Sequence, residues 1–96
     1  MILTEVSATV DPGRESDLVV GFRDLARSPL PDGLVRTELL QGPEGRWRIQ
    51  TLWRSREALN AMLAGSETPT ARRLFERAGA DSSLQILEVE AEHHVP

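Results

Sequence analysis

The chain contains no cysteine and no tyrosine. Without cysteine it can form neither a disulfide nor a thiolate metal site. Without tyrosine it has no phenol to serve as an acid, a base or a hydrogen-bond donor. Aromatic side chains are scarce: Phe22, Trp47, Trp53 and Phe75 complete the set. Lysine is missing as well, so all eleven basic residues are arginine. Planar guanidinium groups can recognise anions, but these are scattered along the chain, which favours a compositional origin in a GC-rich genome. The net charge of -4 argues against a nucleic-acid partner, which needs a clustered positive field. No apolar stretch approaches the ~20 residues of a membrane span, so no membrane partner is expected. Met1-Ile2-Leu3-Thr4-Glu5 lacks the basic start and long apolar run of a secretory signal, and the expected location is cytoplasmic.

What is present suits one small domain over residues 1–96. A chain of this length buries only about 60–65% of its unfolded surface, so its core is thin. With disulfides and thiolate metal sites excluded, a partner subunit is the remaining supplement, and a homodimer is expected. The segment from Ile2 to Val10 alternates, with Ile2, Thr4, Val6, Ala8 and Val10 on one face and Glu5, Ser7 and Thr9 on the other. That period of two predicts a half-buried strand. Asp11-Pro12-Gly13 breaks it, with Asp11 suited to cap a helix and Pro12 to its first position. Leu18, Val19, Phe22, Leu25 and Ala26 then form one helical stripe. Leu34 to Gln41 and Arg46 to Trp53 read as strands joined by the turn Gly42-Pro43-Glu44-Gly45. In the second of these, Trp47, Ile49, Thr51 and Trp53 share a face. Ser55 is placed to cap a helix carrying Leu59, Met62 and Leu63, which Gly65 ends. Thr68-Pro69 opens a third helix, closed by Gly79. Leu84 to Glu92 reads as a last strand, with Leu87, Val89 and Ala91 opposed to Glu88, Glu90 and Glu92. The order βαββ, helical pair, β predicts an α+β, ferredoxin-like split βαβ: a four-stranded antiparallel sheet with helices on one face. The polar residues Glu5, Arg36, Glu38, Arg48 and Glu88 are expected on the uncovered face, with Arg48 flanked by Glu5 and Glu38.

Three stretches carry a family resemblance: the first strand running into Asp11-Pro12-Gly13-Arg14-Glu15, the hairpin, and above all Thr51-Leu52-Trp53-Arg54-Ser55-Arg56-Glu57-Ala58-Leu59. A strand ending in tryptophan, a polar pair and Glu-Ala-Leu opening a helix resemble the antibiotic biosynthesis monooxygenase family. The resemblance implies a dimeric α+β barrel of ferredoxin-like subunits, each with a pocket between sheet and helices. It also implies oxygenation of quinol-like or polycyclic aromatic substrates without metal or flavin, so no cofactor is expected. The family tryptophan corresponds to Trp53. Where aromatic-ring oxygenases of the family carry Asn, Tyr and His, this chain has Ile49, Leu59 and Met62. Where haem-degrading relatives carry Asn, Trp and His, it has Val6, Met62 and about Arg73, so haem degradation is not expected.

The candidate ligand-binding residues are Trp53, Ile49, Thr51, Met62, Leu59, Phe22 and Phe75, converging from one sheet face and the helix stripes. Each also reads as core: Trp53 can stack on a planar ligand or fill space beneath the second helix, and its N–H needs a partner either way. Trp47, beside the turn, reads as packing. His93-His94 point opposite ways if extended, which does not suit a shared metal ion, and read as a solvated tail. Glu88, Glu90 and Glu92 read as a row paired with arginines, Arg36 and Arg48 being the candidates. No catalytic base is identifiable. Two functions fit: a cofactor-independent monooxygenase acting on an aromatic or quinol-like metabolite, and a non-catalytic dimeric module binding a flat apolar small molecule. An RNA-binding sheet is disfavoured, because the first strand lacks aromatics and Arg46, Arg48 and Gln50 occupy the exposed face of the third.

Overall fold

The computed structural model describes residues 1–65, 70–93 and 95. Four strands, β1 (Ile2–Thr9), β2 (Leu34–Gln41), β3 (Arg46–Trp53) and β4 (Ser83–Glu88), form one sheet. Its order is β2-β3-β1-β4, and every neighbouring pair is antiparallel. Helices α1 (Glu15–Arg27), α2 (Arg56–Ala64) and α3 (Thr70–Arg77) connect the strands. This is the α+β, ferredoxin-like arrangement that the element order predicts.

Local chemistry explains most boundaries. At the β2–β3 turn, the Gly42 N–H donates to the Arg46 carbonyl at 2.7 Å, and both Glu44 and Gly45 take positive φ. A Cβ on Gly45 would stand 2.8 Å from the Val10 carbonyl, so glycine is also required sterically. The Ser55 side chain accepts from the Ala58 N–H at 3.2 Å, the expected N-cap of α2. Gly79, at φ +74, closes α3. Thr68-Pro69, expected to open α3, lies outside the described residues. The expectation for Asp11 is corrected. Pro12–Arg14 form a 3-10 turn before α1, and Asp11 makes no side-chain cap. Its carbonyl accepts from Arg14 N–H at 2.8 Å instead, so the backbone closes the turn unaided.

The alternation in β1 and β3 sorts as predicted: Ile2, Thr4, Val6, Trp47, Ile49, Thr51 and Trp53 are buried on the helix side. The phase of β4 is corrected. Glu88 pairs with Ile2, Ile86 with Thr4 and Leu84 with Val6, so these β4 residues point to the helix side. Leu87, paired with Leu3, joins the uncovered face. Glu88 therefore bridges to Arg56 of α2 at 3.9 Å, and not to Arg36 or Arg48. The strand also stops at Glu88, so Glu90 and Glu92 form no strand row. On the uncovered face Arg48 meets Glu5 at 3.5 Å, as expected, while Glu38 bonds Arg36 at 3.4 Å.

The core divides in two. The larger cluster joins Val6, Val10, Leu18, Trp47, Ile49, Leu74, Phe75, Ala78 and Ala80. The smaller joins Ile2, Trp53 and Leu59, with Leu34, Ala58, Met62 and Leu63 packed against it.

Candidate functional site

The seam between the two clusters is threonine. On the helix side of the sheet, the row Leu34, Trp53, Ile2 lies on one flank and Leu39, Ile49, Val6, Leu84 on the other. Between them run Thr37, Thr51, Thr4 and Ile86, aligned across all four strands. Threonine hydroxyls cannot join an apolar core unpaired, and here they pair among themselves. Thr37 Oγ1 and Thr51 Oγ1 are 2.9 Å apart. The Thr4 hydroxyl donates to the Thr51 carbonyl at 3.4 Å and accepts the Trp53 indole N–H at 3.1 Å.

Above this row lies a cavity of about 80 Å³. Its floor is Thr4, Thr37 and Thr51, and its walls include Val6, Ile49, Trp53, Leu59 and Met62. Leu25, Leu30 and Pro31 approach from α1 and the loop after it, and Thr70 and Ala71 from α3. None of the described lining residues is ionisable. Five of the expected ligand-binding residues, Trp53, Ile49, Thr51, Met62 and Leu59, thus meet at one space. Phe75 and Phe22 do not: Phe75 is fully buried in the larger cluster and Phe22 packs against it. Helix stripes predict that both face the sheet, but Leu25 of α1 and Thr70 and Ala71 of α3 are the described residues of those helices that reach the cavity. Sequence reasoning passed over Thr4 and Thr37. Thr4 was visible as a polar interruption of an apolar strand face, whereas its alignment with Thr37 depends on register.

Trp47 belongs to the larger cluster, and its indole N–H donates to Glu15 at 2.6 Å. A wider groove of about 710 Å³ lies at the hairpin end, with Ser7, Thr9, Arg46, Arg48, Asp81 and Ser83 on its walls. It is open to solvent and contains none of the expected ligand-binding residues. Among the described residues, no His, Asp and Glu group is placed to hold a metal ion. His93 is exposed outside any helix or strand, and His94 lies outside the described residues. Among the described residues, no helix is long and apolar enough to cross a membrane.

A ferredoxin-like sheet with an apolar cavity beneath its helices defines a class of small α+β domains, and sequence places the chain within it. The family profile of antibiotic biosynthesis monooxygenases matches residues 1–74, and the chain belongs to that family. No curated protein matches it in sequence. Among solved structures it is similar to a candidate antibiotic biosynthesis monooxygenase from Deinococcus radiodurans, at 15% identity and TM-score 0.72, covering 100% of this chain and 99% of that one. It is similar to a variant of SnoaB, a cofactor-independent oxygenase from Streptomyces nogalater, at 18% identity and TM-score 0.63, covering 95% and 94%. A variant of MhuD with two manganese protoporphyrin IX molecules per active site matches at 23% identity and TM-score 0.73, covering 99% and 100%. At these identities the likeness establishes the fold, and the family profile places the chain among monooxygenases at family level.

Proposed function

We propose that the domain is a cofactor-independent monooxygenase that takes a flat, largely apolar aromatic or quinol-like molecule against Trp53, and that it works as a homodimer. One observation carries the first part: an apolar cavity with an indole wall and a hydroxyl floor, in a chain of this family. Its space of about 80 Å³ is smaller than the ~150 Å³ of an apolar cavity that holds benzene, so a ring enters by displacing side chains. The helix and loop wall can yield. Leu25, Leu34, Met62 and Leu63 are half-buried, Leu30 and Pro31 are exposed, and a thioether adapts to irregular shapes.

Cofactor-free oxygenation requires a substrate that becomes an electron-rich anion and passes an electron to dioxygen. In net terms, an anthrone's ring methylene and dioxygen become a ring carbonyl and water, and a quinol and dioxygen become a hydroxyquinone and water. With no ionisable group among the described lining residues, the proton leaves through the substrate's own acidity, as in an anthrone or a quinol. The protein contributes water exclusion and hydroxyl hydrogen bonds to the developing oxyanion. A porphyrin, which the MhuD variant carries, fits less well: Val6 and Met62 stand at two of the haem-binding positions, and no imidazole lines the described cavity. The same lack of an ionisable group favours a second reading, a non-catalytic dimeric module that binds a hydrophobic small molecule.

Support for the dimer lies on the uncovered sheet face. Leu3, Leu52 and Leu87 form an apolar row there, and Leu87 is 43% exposed. The charges beside it are already paired within the subunit, Arg48 with Glu5 and Arg36 with Glu38. Covering that face therefore removes pairs from water, which costs much less than burying single charges.

The function is tested by oxygen uptake and tryptophan fluorescence with anthrone and naphthohydroquinone. Uptake above the autoxidation rate is expected, with binding weakened about tenfold by Trp53→Ala through lost stacking and burial. Saturable binding without uptake supports the second reading. Ligand affinity unchanged in a folded Trp53→Ala protein contradicts the site in both. Haem added in parallel is expected to give no Soret-shifted complex.

A further inference from the structure

Resting on the aromatic-ligand reading above, we infer that the Thr37–Thr51 hydroxyl pair recognises a single oxygen. The ring that enters carries one hydroxyl or carbonyl on the edge that meets the sheet, and no charged group there. The argument is a count of hydrogens. Trp53 spends its only N–H on Thr4, so the indole offers a ligand its ring and no donor. Thr4 spends its hydrogen on the Thr51 carbonyl. Thr37 and Thr51 share one bond of 2.9 Å, in which either can donate. Two hydroxyls bring two hydrogens, and that bond uses one. The second has no acceptor among the described residues, and both side chains line the cavity.

The pair therefore presents one donor hydrogen, together with hydroxyl lone pairs that can accept from a phenol. Every other described lining residue is apolar except Thr4 and Thr70. A carboxylate on the same edge would be buried with no cation among the described lining residues, and an unpaired buried charge is far more costly than a neutral oxygen. The register decides that the point is single. Thr51 pairs with Thr37 on one side and Thr4 on the other, and the Thr4 hydrogen, committed to the Thr51 carbonyl, is not free for a second oxygen.

The test uses three probes of similar shape: 1-naphthol, 1-methylnaphthalene and 1-naphthoate. Each is titrated into the isotope-labelled protein while the Trp53 indole N–H resonance is followed. The expected result is 1-naphthol binding roughly three- to tenfold more tightly than 1-methylnaphthalene, the worth of one hydrogen bond, and no saturable shift with 1-naphthoate. The double variant Thr37→Val/Thr51→Val keeps side-chain shape and suits a strand. In it 1-naphthol is expected to fall to the level of 1-methylnaphthalene, whose own affinity is unchanged. Equal affinity of the wild-type protein for the two neutral probes overturns the inference without need of a variant, as does a preference that survives in the double variant. Either result leaves the aromatic-ligand reading standing. Saturable binding of none of the probes overturns both.

Discussion

The two tryptophans are alike in burial and differ in what their N–H groups hold. Trp53 donates within the sheet, to Thr4, and its ring walls a cavity. Trp47 donates across layers, to Glu15 at the start of α1, and its ring fills the larger cluster. Removal of the two rings should therefore have different consequences. Trp47→Ala deletes a filled core volume, which costs about 3–5 kcal/mol, a large part of the ~5–15 kcal/mol that holds a domain together. Trp47→Phe keeps most of the ring and loses the bond to Glu15, at about 1–2 kcal/mol. Urea denaturation should rank wild type, Trp47→Phe and Trp47→Ala in that order, with ligand affinity of the folded Trp47→Phe protein unchanged. If Trp47→Phe abolishes ligand binding while leaving stability intact, the division of roles between the two rings is wrong.

At the scale of elements, the cavity depends on how α2 sits against the strands at the end of the sheet. Gly33 fixes that seat. It has φ +85, and a Cβ there would stand 2.4 Å from the Ala58 Cβ on α2. Its carbonyl also accepts from the Arg54 N–H at 2.7 Å, tying the start of β2 to the end of β3. Gly33→Ala is therefore expected to destabilise by more than about 1 kcal/mol, because backbone strain and a clash act together. Gly13 is the control. A Cβ there meets nothing within 4 Å, and Gly13→Ala should change the urea midpoint little. Similar midpoints for the two variants would show that α2 is free to shift, and that the cavity wall is softer than its packing implies.

For the whole molecule, the small core and the uncovered sheet face bear on assembly. One layer of helices covers one face of the sheet, and the other face carries an apolar row beside two internal ion pairs, Arg48–Glu5 and Arg36–Glu38. The proposed second copy would bring a face with the same apolar row and the same paired charges. Light scattering at micromolar concentration is expected to give about twice the 10.6 kDa of the chain, and Leu87→Arg should shift the mass towards one copy by placing an unpaired charge in the apolar row. A mass near 10.6 kDa for the unaltered protein would rule the dimer out.

Much of this architecture was legible along the chain. Period-two alternation marked β1 and β3, because one face of each is buried and the other is not. Gly42 to Gly45 marked the hairpin and Ser55 the start of α2, because those conformations and caps admit few residue types. Trp53 and the residues after it marked the family. Only the tertiary structure decided what lies across the sheet. Leu84-Gln85-Ile86-Leu87-Glu88 offers apolar residues in both phases, and pairing with β1 selected the one that turns Leu84 and Ile86 inward. Phe22 and Phe75 fell to one cluster and Trp53 to the other because a threonine row runs between them. That row is a property of register: alternation settles which face a threonine takes within its own strand, but three threonines become neighbours only when long-range pairing sets β2, β3 and β1 in step.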